Sequence, residues 1–361
     1  MMSLQPPRFL FVELNRACNL RCSHCDYWLL KDDIASLPDL PRLTMLVEDF
    51  ARLSPNGTIV TCGGEPMLRV DTWFDLARLA RSNGLKMFSV TNGTRIRNGD
   101  LAERVIAEGP DEISVSLNSP VAAEHDRTRG IDGSFEKTTR AIRLLLDARS
   151  RLGIHDRKII VMGLVYASNY RDIPRFYDFV LNDLKADKLK LNLLQPTFRQ
   201  SGEVDPFFDA EARLDPEALV ELIRMADRVH GLDINPDFVR QAGMYFRSLA
   251  QGMDLERGWS SETRTTEHIC NTYDRNIMID LDGVARLCFS TAFRGEPIEK
   301  PGDLARFWES ANDIRGEMRT CNRLCGISHS VRRVSATMQG QRKGMLFNKN
   351  PDETTAPAAG R

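Results

Sequence analysis

Six short runs with strand character alternate with five segments of helical period over the first 200 residues, and this alternation restricts the fold more than any other feature. The strand candidates are 9–14, 58–61, 86–90, 112–117, 159–165 and 188–193. Helical spacing predicts helices near 43–53, 71–82, 100–107, 134–149 and 171–184. In 134–149, Phe135, Thr138, Ala141, Ile142, Leu145 and Leu146 recur every three to four residues, while Glu136, Lys137 and Arg140 take the other face. Parallel strands need long crossovers of fixed hand, which helices fill, so serial βα units predict a parallel sheet covered by helices. Spacing alone leaves a doubly wound sheet and a barrel both open.

Chemistry concentrates just after the first strand, in Cys18-Asn-Leu-Arg-Cys22-Ser-His-Cys25. Three thiolates at this spacing can hold three corners of a four-iron cluster and leave one iron open to a ligand. A zinc knuckle needs a fourth ligand, and His24, adjacent to Cys25, is badly placed to bind the same ion. A disulfide framework suits small secreted domains rather than 361 residues without a secretion signal. Free Cys is also often buried as an ordinary core residue.

After the second strand comes Cys62-Gly63-Gly64-Glu65-Pro66. Two glycines permit a close backbone approach, and Glu65 offers an acceptor for a cationic amine. With the cysteine triplet, this run resembles the radical S-adenosylmethionine (SAM) superfamily. Cys18, Cys22 and Cys25 match its CxxxCxΦC signature, with His24 at the usually aromatic Φ position, and Gly63 to Pro66 match its GGEP motif. The resemblance covers about residues 6 to 200 and implies an α/β fold, a partial (β/α)6 TIM-like barrel. The site would then sit at the strand C-terminal ends. Each of the six predicted strands does end in a motif-bearing loop: Thr91-Asn92-Gly93 follows the third, Ser116-Leu117-Asn118 ends the fourth, and His125 to Gly130 comes shortly after.

The resemblance also implies cofactors and roles. SAM would chelate the open iron of a 4Fe-4S cluster held by Cys18, Cys22 and Cys25, with His24 lining it. Gly63, Gly64, Glu65 and Pro66 would form the loop at the amino group, with Asn92 nearby. Ser116 and Asn118 are ribose candidates, Arg129 a carboxylate candidate, and the backbone near Leu164 and Asn192 would flank the adenine. The implied chemistry is a 5′-deoxyadenosyl radical that takes a hydrogen atom from substrate. An external one-electron reductant such as flavodoxin or ferredoxin would supply the cluster.

Beyond about residue 200 the organisation changes. Residues 1–200 read as the core barrel, 201–260 as linker and helices, 261–338 as an auxiliary region and 339–361 as a poorly ordered tail. Gln200 to Glu203 and Asp205-Pro206 look like linker, with helices expected near 215–230, 237–250 and 304–318. Period-two alternation around Asp282-Gly283 predicts a hairpin that brings Cys270 and Cys288 to one end, while Cys321 and Cys325 follow the last helix. Four Cys from three elements can close a zinc site or fully ligate a four-iron cluster. The run from Cys270 through Gly283 to Cys288 resembles the SPASM/Twitch extension of radical SAM enzymes. Full SPASM regions have seven Cys and this chain has four here, so the resemblance implies a Twitch-type region with one auxiliary 4Fe-4S cluster at Cys270, Cys288, Cys321 and Cys325. Cys62 reads as a small buried hydrophobe at the strand end.

Charge sets limits on partners. Lys plus Arg is 49 and Asp plus Glu is 50, so no electrostatic footprint for nucleic acid exists. No apolar run reaches the roughly 20 residues of a membrane span. Eight Cys without an export signal point to a reducing compartment, and the cytoplasm is expected. A fully ligated second cluster fits an electron conduit for a net oxidation, such as a sugar or aminocyclitol alcohol becoming a ketone. Cross-linking of a ribosomal peptide is the alternative, although the 17 residues before Cys18 leave no room there for a leader-recognition domain. A non-catalytic iron–sulfur carrier would leave the Gly63–Pro66 loop idle.

Overall fold

The computed structural model describes residues 4–30, 38–196, 205–251, 268–270, 272–289, 293–319 and 330–332. Its core is six parallel strands, β1 (Phe9–Asn15), β2 (Thr58–Gly63), β3 (Lys86–Thr91), β4 (Glu112–Ser116), β5 (Lys158–Val165) and β6 (Lys188–Leu193), paired in chain order. The intervening helices are α1 (Leu40–Leu53), α2 (Val70–Ser82), α3 (Gly99–Glu108), α4 (Ala122–Arg129), α5 (Ser134–Leu152) and α6 (Ile173–Asp178). The sheet does not close: β6 is one edge, and the β1 side is extended by chain from the C-terminal region. This is the partial barrel that the resemblance implies.

Alternation along β1 sorts its side chains. Leu10, Val12 and Leu14 join the main core with Leu43, Leu46 and Phe50 of α1. Phe9 and Phe11 turn to the other face, where Val60, Cys62, Phe88, Met278 and Phe289 pack against them. Farther along that face the character changes. The Lys190 ammonium pairs with the Glu112 carboxylate across β5, both largely buried, so the β4–β6 side carries charge where the β1–β3 side carries rings.

Capping explains several boundaries. The Asp39 carboxylate accepts from Arg42 N with Pro41 in the first turn, so α1 starts earlier than its periodicity suggests. Asp205 caps a short helix, α7 (Pro206–Glu211), where linker is expected; its side chain accepts from Phe208 N. Two more helices follow, α8 (Pro216–His230) and α9 (Pro236–Ala250). The helix expected at 171–184 is instead a 3-10 turn at Tyr170–Asp172, then α6, then a π-helical turn at Phe179–Asp183.

In the C-terminal region, β7 (His268–Cys270) pairs antiparallel with β11 (Ser330–Arg332). The predicted hairpin is present as β8 (Asn276–Ile279) and β9 (Val284–Arg286), followed by β10 (Glu296–Pro297). It joins the core sheet, with β8 parallel to β1 from Phe9–Asn276 to Val12–Ile279. The helix expected at 304–318 breaks into α10 (Asp303–Ser310) and α11 (Asn312–Arg319). At the break, the buried Arg315 guanidinium donates through Nη2 to Trp308 O, a carbonyl that an unbroken helix would pair internally.

Candidate functional site

The loop after β1 carries the cysteine triplet, and the ends of β2, β3 and α4 hold it. Gly64 N donates to Asn15 O at 2.7 Å and Glu65 N to Ala17 O at 2.9 Å. A Cβ on Gly64 would lie 2.0 Å from Ala17 O, so only glycine permits this approach. On the opposite side, Arg21 N donates to Arg129 O and Ser23 N to Thr128 O, both at 3.0 Å. Gly130, at φ +66°, ends α4 there, with its Cβ position 2.3 Å from Arg21 O. Between these clamps, Asn19 Nδ2 donates to Thr94 Oγ1 and Asn92 Nδ2 to Asn19 Oδ1, while Asn92 Oδ1 accepts from Thr94 N and Oγ1. Asn92 therefore braces the cysteine loop from the end of β3. Asn19 and Thr94 escaped the sequence reading because their spacing shows no motif.

Within the loop, Cys22 is buried and Cys18 and Cys25 are half-buried. Leu20 N donates to Cys18 Sγ at 3.5 Å, and Arg129 Nη1 to Cys22 Sγ at 3.7 Å. Burial pushes the Cys18 thiol up to about 11 and the Cys25 thiol up to about 12, so metal binding there must displace protons. Among the described residues, no three Cys, His, Asp or Glu side chains lie close enough to share one ion. A four-iron cluster gives each thiolate its own iron and asks for wider spacing. Three thiols with N–H and guanidinium donors turned toward sulfur fit that group. Burial and the Arg129 charge push the His24 imidazole down to about 3, keeping it neutral; its Nδ1 has no partner among the described residues.

The Glu65 carboxylate is 2% exposed and already committed. Oε1 accepts from Met67 N at 3.0 Å and Thr91 Oγ1 at 2.6 Å, and Oε2 from Asn92 N at 2.7 Å. Three donors make it a brace between the GGEP loop and β3. Pro66 opens the buried 3-10 turn that follows.

Asn118 is similarly occupied. Its Oδ1 accepts from Arg129 Nη2 at 3.1 Å, its Nδ2 donates to Thr128 Oγ1 at 3.1 Å, and its N donates to His125 Nδ1. Arg129 is 7% exposed, and its Nε has no partner among the described residues. Asn169, missed in the sequence, ties Asn118 O and Leu164 O together through one amide nitrogen. Ser116 ends β4 and Asn192 stands one residue before the end of β6, both half-buried and on the same face as Leu164 and Glu112 by strand register. Burial and Glu13 raise the Cys62 thiol; it packs on the Phe9–Phe11 cluster, as expected for a small strand-end hydrophobe.

Asp126, beside Arg129, organises the start of α5. Desolvation works against its charge, but bonds from Ser134 Oγ, Phe135 N and Gly133 N, each 2.7 Å, outweigh it and hold the carboxyl below its usual range. A depressed folded-state pKa gives stability that is present above the unfolded value and lost as pH falls through the folded one. Asp126→Asn is therefore expected to flatten the acid limb of a urea-stability profile below about pH 4. An unchanged limb would contradict this assignment.

Of the second cysteine set, Cys288 lies half-buried just past β9, and Cys270 ends β7, paired in register with Ser330. Cys321 and Cys325 lie outside the described residues, as does the expected tail at 339–361.

Three cysteines follow β1 and a glycine-braced loop follows β2 of an open parallel barrel, and residues 12–180 match the Radical SAM superfamily model. Among curated proteins it is 35% identical over 198 residues to the AdoMet-dependent heme synthase of Nitratidesulfovibrio vulgaris, covering 55% of this chain and 51% of that one. It is 30% identical over 197 residues to the mycofactocin maturase MftC of Mycobacterium ulcerans, covering 54% and 50%. The chain thus spans about half the length of these relatives. Among solved structures, anSMEcpe with bound AdoMet superposes with TM-score 0.60 at 17% identity, over 88% of this chain and 81% of that one. Streptococcus suis SuiB bound to precursor peptide SuiA gives 0.62 at 15%, over 88% and 67%. The fold likeness therefore runs beyond the matched domain into the C-terminal region. No helix among the described residues is long and apolar enough to cross a membrane.

Proposed function

We propose that this protein is a radical SAM enzyme performing a net oxidation on a polar substrate, with the Cys270, Cys288, Cys321 and Cys325 set holding an auxiliary 4Fe-4S cluster as electron acceptor. When bound, SAM and the cluster at Cys18, Cys22 and Cys25 supply a 5′-deoxyadenosyl radical that removes a hydrogen atom from substrate. The chain's own residues do the rest. Arg129 and Leu20 N place donors on the cluster sulfurs, and Asn92 and Glu65 hold the two loops at fixed separation. Ser116 and Asn192 supply hydroxyl and amide groups beside the cofactor, and Gly63 and Gly64 supply backbone.

The observation that carries the oxidative reading is the docking of the Cys288 hairpin on β1, where Phe289 packs edge-on against Phe11 at 4.8 Å. A second iron–sulfur centre anchored there would be held beside the barrel rather than on a detached arm. The charged and hydroxylated β4–β6 face favours a small polar substrate, a sugar or aminocyclitol alcohol, with flavodoxin or ferredoxin as reductant in the cytoplasm. The peptide-modifying reading is favoured by fold likeness over 88% of the chain to a protein solved with its precursor peptide. Anaerobic turnover with SAM and dithionite, scored for 5′-deoxyadenosine, separates them. Stimulation by aminocyclitols with product lighter by two hydrogens supports the first. Stimulation only by a peptide moves the second forward.

A further inference from the structure

We infer that Glu13 is a positioning residue that couples the cysteine loop to the C-terminal hairpin, so that one buried carboxylate sets the seat of both. Glu13 stands near the end of β1, 3% exposed, in register with Cys62 on β2. The β1–β8 ladder pairs backbone from Phe9–Asn276 to Val12–Ile279 and stops one residue short of Glu13. There the side chain takes over: Glu13 Oε2 accepts from Leu281 N, in the hairpin turn, at 2.9 Å.

The same carboxylate faces the cysteine loop. Arg16 Nε donates to Oε2 at 3.3 Å, and the Tyr27 hydroxyl, two residues beyond Cys25, lies against the Glu13 side chain. Arg16 completes the bridge by donating through Nη2 to Asp282 Oδ2 at 3.2 Å. Asp280, Cys62 and Tyr27 are the other titratable groups beside it, and burial raises the Glu13 carboxyl above its usual range despite the Arg16 charge. A carboxylate so desolvated is tolerated only while its donors stay in place. Moving the Tyr27 hydroxyl or the Leu281 amide therefore reaches the other through Glu13. The hairpin leads directly to Cys288 and Phe289, so the link sets how that segment meets the barrel.

The claim concerns coupling between segments and does not rest on the proposed reaction. Its test is hydrogen exchange on the full-length protein without metal, read over residues 276–286, in a double-mutant cycle of Tyr27→Phe and Glu13→Gln. Removing the Tyr27 hydroxyl is expected to speed hairpin exchange about threefold or more, although that hydroxyl belongs to another segment. In the Glu13→Gln background the same change should add nothing. No effect of Tyr27→Phe, or effects that simply multiply, would overturn the coupling. Should Glu13→Gln fail to fold, Asp282→Ala gives the reciprocal reading. Loosening the hairpin from its exposed side must speed exchange across residues 25–29, and unchanged exchange there would overturn the inference. In reconstituted protein, Asp282→Ala is expected to leave the iron at Cys18, Cys22 and Cys25 in place while altering its EPR g-values. Unaltered g-values would equally count against coupling.

Discussion

Gly64→Ala is expected to abolish iron loading at the cysteine loop while most of the barrel still folds. The added Cβ would stand 2.0 Å from Ala17 O, a backbone atom that cannot rotate away, and Ala17 precedes Cys18. Something must move, and the loop is the softer party because its far side is held by hydrogen bonds to Arg129 O and Thr128 O rather than by a strand. Overpacking of this kind costs about 3 kcal/mol. The expected result is a urea midpoint lowered but still cooperative, with about half the iron of the parent after anaerobic reconstitution. Normal iron content would show that the two loops need not touch.

Glu65→Ala carries the other large effect. Met67 N, Thr91 Oγ1 and Asn92 N would all lose their carboxylate acceptor at a position 2% exposed. At roughly 1–3 kcal/mol per stranded buried donor, partly relieved by relaxation, the variant should lose about 4 kcal/mol of stability. Because Asn92 also braces Asn19, the cysteine loop loosens with it. Glu65→Gln keeps one acceptor oxygen and turns an amide toward the Asn92 or Thr91 donors, so it should fall between parent and alanine. A ranking in which Gln matches Ala would mean that charge matters more than acceptor count.

The strand–helix alternation was readable in the sequence because the strands carry short apolar or alternating runs and most of the helices between them a 3.6-residue stripe, as 134–149 shows against the observed Ser134–Leu152. The hairpin at Asp282-Gly283 was readable because Gly283 supplies the positive φ that the tight turn requires. Its docking partner was not. Pairing of β8 with β1 joins residues more than 260 positions apart, and no local pattern encodes that register. The break between α10 and α11 escaped for a related reason. Arg315 is buried over the Trp308 ring and captures the freed Trp308 carbonyl, a contact that residue spacing does not encode. At the site, motif residues were legible as types, but the roles of Glu65 and Asn92 as braces follow from partners 26 and 73 residues away.

The measurement that bears most directly on the account is iron and sulfide content with EPR on anaerobically reconstituted protein, beside a Cys18→Ala/Cys22→Ala/Cys25→Ala triple variant. The account predicts about eight irons per chain in the parent and about four in the variant, with only the parent's spectrum shifting when SAM is added. About four irons in the parent and none in the variant would leave the cysteine-loop cluster standing and contradict the second centre, and with it the net oxidation. Four or more irons in both, with a SAM-induced shift that survives the triple substitution, would contradict the assignment of the open-iron cluster to Cys18, Cys22 and Cys25.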